Sequence, residues 1–80
     1  MARIDKDSVK ADFSIPKWER FTKGLALICT YDPDPDFAAE HDIFYFSDYE
    51  ATTDRMTEDD QRLLFTYNWV EVDGSWAFFT

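Results

Sequence analysis

The stretch Trp69-Val70-Glu71-Val72-Asp73-Gly74-Ser75-Trp76-Ala77-Phe78-Phe79 decides the fold. Two runs rich in β-branched and aromatic residues flank Asp-Gly, the pair that tolerates positive φ at both central positions of a type I′ turn. A two-residue hairpin over 69–79 follows. It pairs Val72 with Ser75, Glu71 with Trp76, Val70 with Ala77 and Trp69 with Phe78. One face then carries Trp69, Trp76 and Phe78 around Glu71; the other carries Val70, Val72, Ala77 and Phe79. The aromatic face reads as core, with an exposed docking patch as the alternative, because tryptophan is enriched at interface hot spots.

Working backwards, Thr57-Glu58-Asp59-Asp60 opens a helix. Thr57 can cap it, and three acids suit the positive end of the helix dipole. The helix is expected over about 58–67, with Leu63, Leu64 and Tyr67 on one stripe and Asn68 as a left-handed stop. Ile43-Phe44-Tyr45-Phe46 reads as a strand ended by Ser47-Asp48, and 48–56 as a polar connection. Leu25-Ala26-Leu27-Ile28-Cys29-Thr30-Tyr31, apolar at almost every position, reads as a central strand. Before it, Ser14 or Ile15 near a cap and Pro16 in the first turn predict a short helix, Pro16–Lys23, stopped at Gly24. Trp18 and Phe21 share a face of it. In Asp32-Pro33-Asp34-Pro35-Asp36 two prolines end the strand, and Asp34 before Pro35 suggests a second short helix over Pro35–His41. Residues 1–13 are polar and expected to fray. The expectation is a single α+β domain over 1–80: about four antiparallel strands, one main helix and one or two short helical turns.

Eighty residues allow one domain, and at that size only about 60% of the unfolded surface is buried. Aromatic mass compensates: 8 Phe, 4 Tyr and 3 Trp make up 19% of the chain. That content argues against disorder. No apolar run nears the roughly 20 residues of a membrane-spanning helix. The charged start, Met1-Ala2-Arg3-Ile4-Asp5-Lys6-Asp7, lacks the apolar region of a signal peptide. One cysteine cannot staple the fold, and a reducing cytoplasm suits it best.

The net charge of −9 is concentrated. Residues 1–31 hold six bases and four acids, and 61–80 hold one base and two acids. Residues 32–60 hold eleven acids against Arg55 alone, net −10: Asp32, Asp34, Asp36, Glu40, Asp42, Asp48, Glu50, Asp54, Glu58, Asp59 and Asp60. Direct contact with nucleic acid or an anionic membrane is disfavoured, because neutralising phosphates needs a basic face. A basic protein surface is favoured.

The chemistry-bearing residues do not assemble into a catalytic pattern. Asp32, Asp34 and Asp36 alternate as at the head of a calcium loop, but Phe37 replaces its glycine and Ile43 its bidentate glutamate. A weak divalent site, a solvated Pro-Asp turn, and a proline-stiffened display of charge at roughly 6 Å spacing all remain open. His41, between Glu40 and Asp42, reads as a surface residue, and Cys29 as a buried apolar one. One cysteine and one histidine cannot make a zinc site. Gly24 and Gly74 are used as stop and turn, so no phosphate loop exists. Neither a cofactor nor an enzyme activity is expected. Tyr31, Tyr45 and Tyr49 beside the acids suit an Arg-rich surface through stacking and pairing, or are ordinary strand-edge tyrosines.

At the level of class, the length, the acid block with Asp32, Asp34, Asp36, Asp59 and Asp60, and the lack of catalytic motifs resemble small acidic inhibitors encoded by phages and mobile elements. These include the anti-CRISPR and anti-restriction inhibitors, some of which imitate nucleic acid. The resemblance implies a non-enzymatic protein that occupies a basic, nucleic-acid-binding surface of a partner. All eleven acids of the block are candidates for its binding face. The alternative is an interaction or self-assembly module using the Trp69, Trp76 and Phe78 face, with the acidity serving solubility.

Overall fold

The hairpin forms in the expected register, with Trp69 opposite Phe78 and Val72 opposite Ser75. Asp73 and Gly74 have φ of +52° and +83°, the two left-handed residues that the turn requires. A computed structural model describes residues 3–80 of the chain. It contains α1 (Lys17–Tyr31), β1 (Phe37–Glu40), β2 (Ile43–Asp48), α2 (Tyr49–Thr53), α3 (Glu58–Thr66), β3 (Trp69–Val72) and β4 (Ser75–Phe79). The strands form one antiparallel sheet in the order β1-β2-β4-β3, so the fold is α+β with four strands, as expected.

One of the four strands is not the expected one. Leu25–Tyr31 is the second half of α1, not a central strand. Phe21, Gly24, Leu25 and Ile28 recur at helical spacing, and this stripe faces the core. Gly24 is not a stop. It is buried within α1, and a Cβ there would meet the Trp69 indole. Cys29 accordingly sits half-buried on a helix rather than in a strand. Pro16 itself is the cap residue of α1, without a side-chain cap, one position later than expected. Asp12 organises the approach by accepting from the amide and hydroxyl of Ser14 at 3.0 and 2.6 Å.

The missing strand is supplied by β1, where the sequence suggested a helix over Pro35–His41. Local preference of Ala38 and Ala39 for helix yields to a ladder that sets Phe37 opposite Phe46 and Glu40 opposite Ile43. His41, at φ +50°, and Asp42 close the turn; histidine is among the residues enriched at such φ. The connection 48–56 contains α2, capped by Asp48, whose carboxylate accepts from the Ala51 amide at 2.8 Å. Near the end of β2, Ser47 forms a bulge at φ +61° and is buried.

α3 begins as read: Thr57 Oγ1 accepts from the Asp60 amide at 3.1 Å. Asn68 has φ +64° and turns the chain into β3. The buried stripe is Gln61, Leu64 and Phe65, whereas Leu63 is 40% exposed. All three helices pack on one face of the sheet. Phe21 of α1 contacts Phe46, Trp69 and Phe78, while Phe65 of α3 and Tyr49 of α2 contact Trp76. Trp69, Trp76 and Phe78 are each 0% exposed, so the aromatic hairpin face is core and offers no docking patch. The N-terminal segment is tied to this layer. The Ile4 amide donates to Gln61 Oε1 at 2.9 Å, the Asp12 amide to the Thr66 carbonyl at 2.8 Å, and Ile4 and Val9 pack on the core. Of the segment expected to fray, Met1 and Ala2 lie outside the described residues.

Candidate acidic docking face

Side chains alternate along a strand, so the register assigns the second face of the sheet. Ala38, Glu40, Ile43, Tyr45, Val70, Val72, Ala77 and Phe79 share it. The ring contacts of all three helices lie on the opposite face, at Phe46, Trp69, Trp76 and Phe78. Tyr45 stands at the centre of the second face, with Ala38 opposite on β1 and Ala77 opposite on β4. Between these small neighbours the Tyr45 side chain is half-buried. Phe79 is 42% exposed on the next row, beside Ile43. The four strands contain Glu40, Asp48 and Glu71 and not one lysine or arginine.

Carboxylates surround this apolar centre. Asp36 and Asp48 line a shallow hollow with Phe37, Ala38, Tyr45, Ser47 and Ser75. Partial desolvation raises the Tyr45 hydroxyl above the ordinary tyrosine range, and the carboxylates of Glu40, Asp73 and Asp42 raise it further. Three acids, one at the end of β1 and one in each of two turns, therefore act on one phenol. Asp73 was missed in the acid block because it belongs to the hairpin turn; the signal for it lay in the Asp-Gly pair itself.

The eleven acids of the block do not act as one surface. Six have structural partners. Asp32 accepts from Ser47 Oγ at 2.7 Å, and Ser47 Oγ also meets Thr52 Oγ1 at 2.6 Å. Asp48 caps α2, and Asp60 accepts from the Tyr31 hydroxyl. Asp54 pairs with Arg3 at 2.7 Å, and Arg62 meets Glu58 at 3.7 Å and Asp59 at 3.3 Å. Asp34, Asp36, Glu40, Asp42 and Glu50 are exposed and make no hydrogen bond or ion pair through their carboxylates among the described residues. Glu50 lies apart, beside Arg3, Tyr49, Glu71 and Gly74. What the structure gathers round Tyr45 is Asp36, Glu40, Asp42, Asp48 and Asp73.

The tyrosines divide in the same way. Tyr31 is held by Asp60, and Tyr49 packs on Trp76 with ring centroids 4.8 Å apart. Only Tyr45 belongs to the open face. Asp32, Asp34 and Asp36 do not converge, since Asp32 is turned onto Ser47 while Asp36 borders the Tyr45 hollow. Among the described residues no three His, Cys, Asp or Glu side chains are placed to hold a metal ion, and no helix is long and apolar enough to cross a membrane. The chain matches no protein-family model, no curated protein and no solved structure.

Proposed function

We propose that this is a non-enzymatic binding protein whose uncovered sheet face occupies a basic surface of a partner protein. The observation that carries the reading is the composition of that face: Tyr45 and its apolar neighbours, rimmed by Asp36, Glu40, Asp42, Asp48 and Asp73, on strands that hold no base. An apolar centre with a charged rim is the anatomy of a protein interface. A rim of one sign selects a partner of the opposite sign and speeds encounter with it.

Surfaces that combine dense positive charge with accessible apolar and aromatic groups are those that bind nucleic acid. The partner is accordingly a nucleic-acid-binding protein of the cytoplasm, and the consequence of binding is exclusion of DNA or RNA from its channel, as in inhibitors of the anti-CRISPR and anti-restriction kind. Self-association through the same face is opposed, because two copies would bring like charges together.

The test uses isosteric neutralisation, with an arginine-rich nucleic-acid-binding protein as probe. Asp36→Asn, Glu40→Gln, Asp42→Asn, Asp48→Asn and Asp73→Asn are combined; asparagine still serves as helix cap and turn residue at positions 48 and 73. The control variant neutralises five other acids instead, Asp34, Glu50, Asp54, Glu58 and Asp59, so that both variants lose the same charge. Wild type and control should bind the probe, weaken as salt rises and displace labelled nucleic acid; the face variant should do neither. Equal loss in both variants would leave only nonspecific charge attraction and end the reading.

A further inference from the structure

β1 is the outermost strand of the sheet, all four of its residues are exposed, and Phe37 is 60% exposed. The opposite edge is different: Lys6, Asp7, Val9 and Ala11 of the N-terminal segment border β3 at Val70. Edge strands in natural proteins are usually shielded by a lysine, a proline, a bulge or a covering segment, because unpaired backbone groups recruit another strand. Phe37-Ala38-Ala39-Glu40 is short and carries one charge, Glu40, but it has no lysine, proline or bulge, and its single charge is one that a basic strand would meet favourably.

The ladder phase shows which groups are free. The Ser47 amide donates to the Asp36 carbonyl at 3.0 Å, and Glu40 faces Ile43 across the two-residue turn. In an antiparallel pair this directs the backbone groups of Asp36, Ala38 and Glu40 toward β2, and those of Phe37 and Ala39 outward. We propose that this edge takes up an extended basic segment of the partner protein as a fifth strand. The inference rests on the acidic-face reading and specifies the partner's form.

The two sides of β1 define that segment. On the helix side, Phe37 packs on Phe46 and Phe44 with centroids 4.9 and 6.1 Å apart. The aromatic row continues from Phe44 to Phe21 and on to Trp18, itself 53% exposed. On the other side, Asp36 and Glu40 flank Ala38 beside Tyr45. Alternate side chains of an added strand would therefore meet an aromatic row on one side and carboxylates on the other. Apolar residues alternating with lysine or arginine satisfy both. Backbone hydrogen bonds would supply affinity and the alternating side chains specificity. A second copy of this chain is the wrong occupant, since antiparallel pairing of two β1 strands about Ala38 would set Asp36 of each copy opposite Glu40 of the other.

The probe is a blocked six-residue peptide of alternating lysine and valine, compared with the same peptide methylated at every backbone amide. Ala39→Pro removes an outward donor while sparing the ladder to β2, the position where a strand tolerates proline. Wild type should bind the unmethylated peptide with amide shifts centred on 37–40. Methylation or Ala39→Pro should each weaken binding about tenfold, the scale of one or two lost hydrogen bonds. The methylated peptide keeps the protein unaltered, so its result stands even if Ala39→Pro disturbs folding. Undiminished binding of the methylated peptide overturns strand addition. If that binding is still lost in the five-carboxylate variant, the acidic-face reading survives it. Failure of wild type to bind the unmethylated peptide also overturns the proposal, while the arginine-rich probe then judges the acidic face separately. Self-association abolished by Ala39→Pro would assign the edge to a second copy and overturn it as well.

Discussion

The indole of Trp69 occupies the space that a side chain on Gly24 would need: an ideal Cβ would stand 2.0 Å from its Nε1. The same Nε1 donates to the Arg20 carbonyl at 3.2 Å, which fixes the ring against α1. Gly24→Ala should therefore destabilise the protein. Alanine gains about 1 kcal/mol of helix preference, but overpacking a fixed aromatic costs about 1–3 kcal/mol and forces Trp69 to abandon its bond. Urea unfolding followed by tryptophan fluorescence should show a lower midpoint at unchanged slope.

Trp76→Ala should act on folding and not on association. The residue is 0% exposed and packed between Tyr49 and Phe65. Emptying such a site costs about 3–5 kcal/mol, a large share of the roughly 5–15 kcal/mol available to a domain. Thermal unfolding by circular dichroism should show a large drop. Phe79→Ala, on the open face, should leave the melting temperature nearly unchanged.

Gln61 joins the N-terminal segment to the core. Its Oε1 accepts from the Ile4 amide, and its Nε2 donates to the Met56 carbonyl at 3.1 Å, with the side chain 0% exposed. Gln61→Met should cost about 1–3 kcal/mol through the buried groups it strands. Hydrogen exchange at the Ile4 amide should accelerate more than at amides of β4.

Tyr45 gives the open face a pH signature. Desolvation, then Glu40, Asp73 and Asp42, hold its hydroxyl protonated beyond the usual range. Above the ordinary tyrosine value of about 10, the unfolded chain has released this proton while the folded chain still holds it. Stability contributed by the retained proton is complete below that value and is lost as pH rises through the folded one. Tyr45→Phe should flatten part of the alkaline fall in melting temperature. Glu40→Gln should shift the tyrosinate absorbance titration back toward the ordinary range.

The parts of the fold legible in the sequence are those with local chemistry. Asp73-Gly74 carried the hairpin and its register; Thr57 and Asn68 carried α3. Leu25–Tyr31 misled because a nearly continuous apolar run hides its period; the helical stripe shows only when Phe21 and Gly24 are read together with Leu25 and Ile28. β1 misled because Ala38 and Ala39 have no strand preference of their own and acquire it from β2. The candidate site was legible as a charge imbalance but not as a surface. Ser47, Tyr31, Arg3 and Arg62 withdraw acids from the block, and each partnership needs the tertiary fold. Asp73 joins the rim only because β4 lies beside β2.

Because all eight bases lie outside the strands while Asp36, Glu40, Asp42, Asp48 and Asp73 gather round Tyr45, a cationic target should meet its strongest local attraction at the open sheet face. A cationic target would turn the protein as it approaches, so that a larger share of collisions arrive sheet-first. The association rate should then exceed that of a protein of equal net charge spread evenly, and the advantage should vanish once added salt shortens the reach of the field below the width of the molecule.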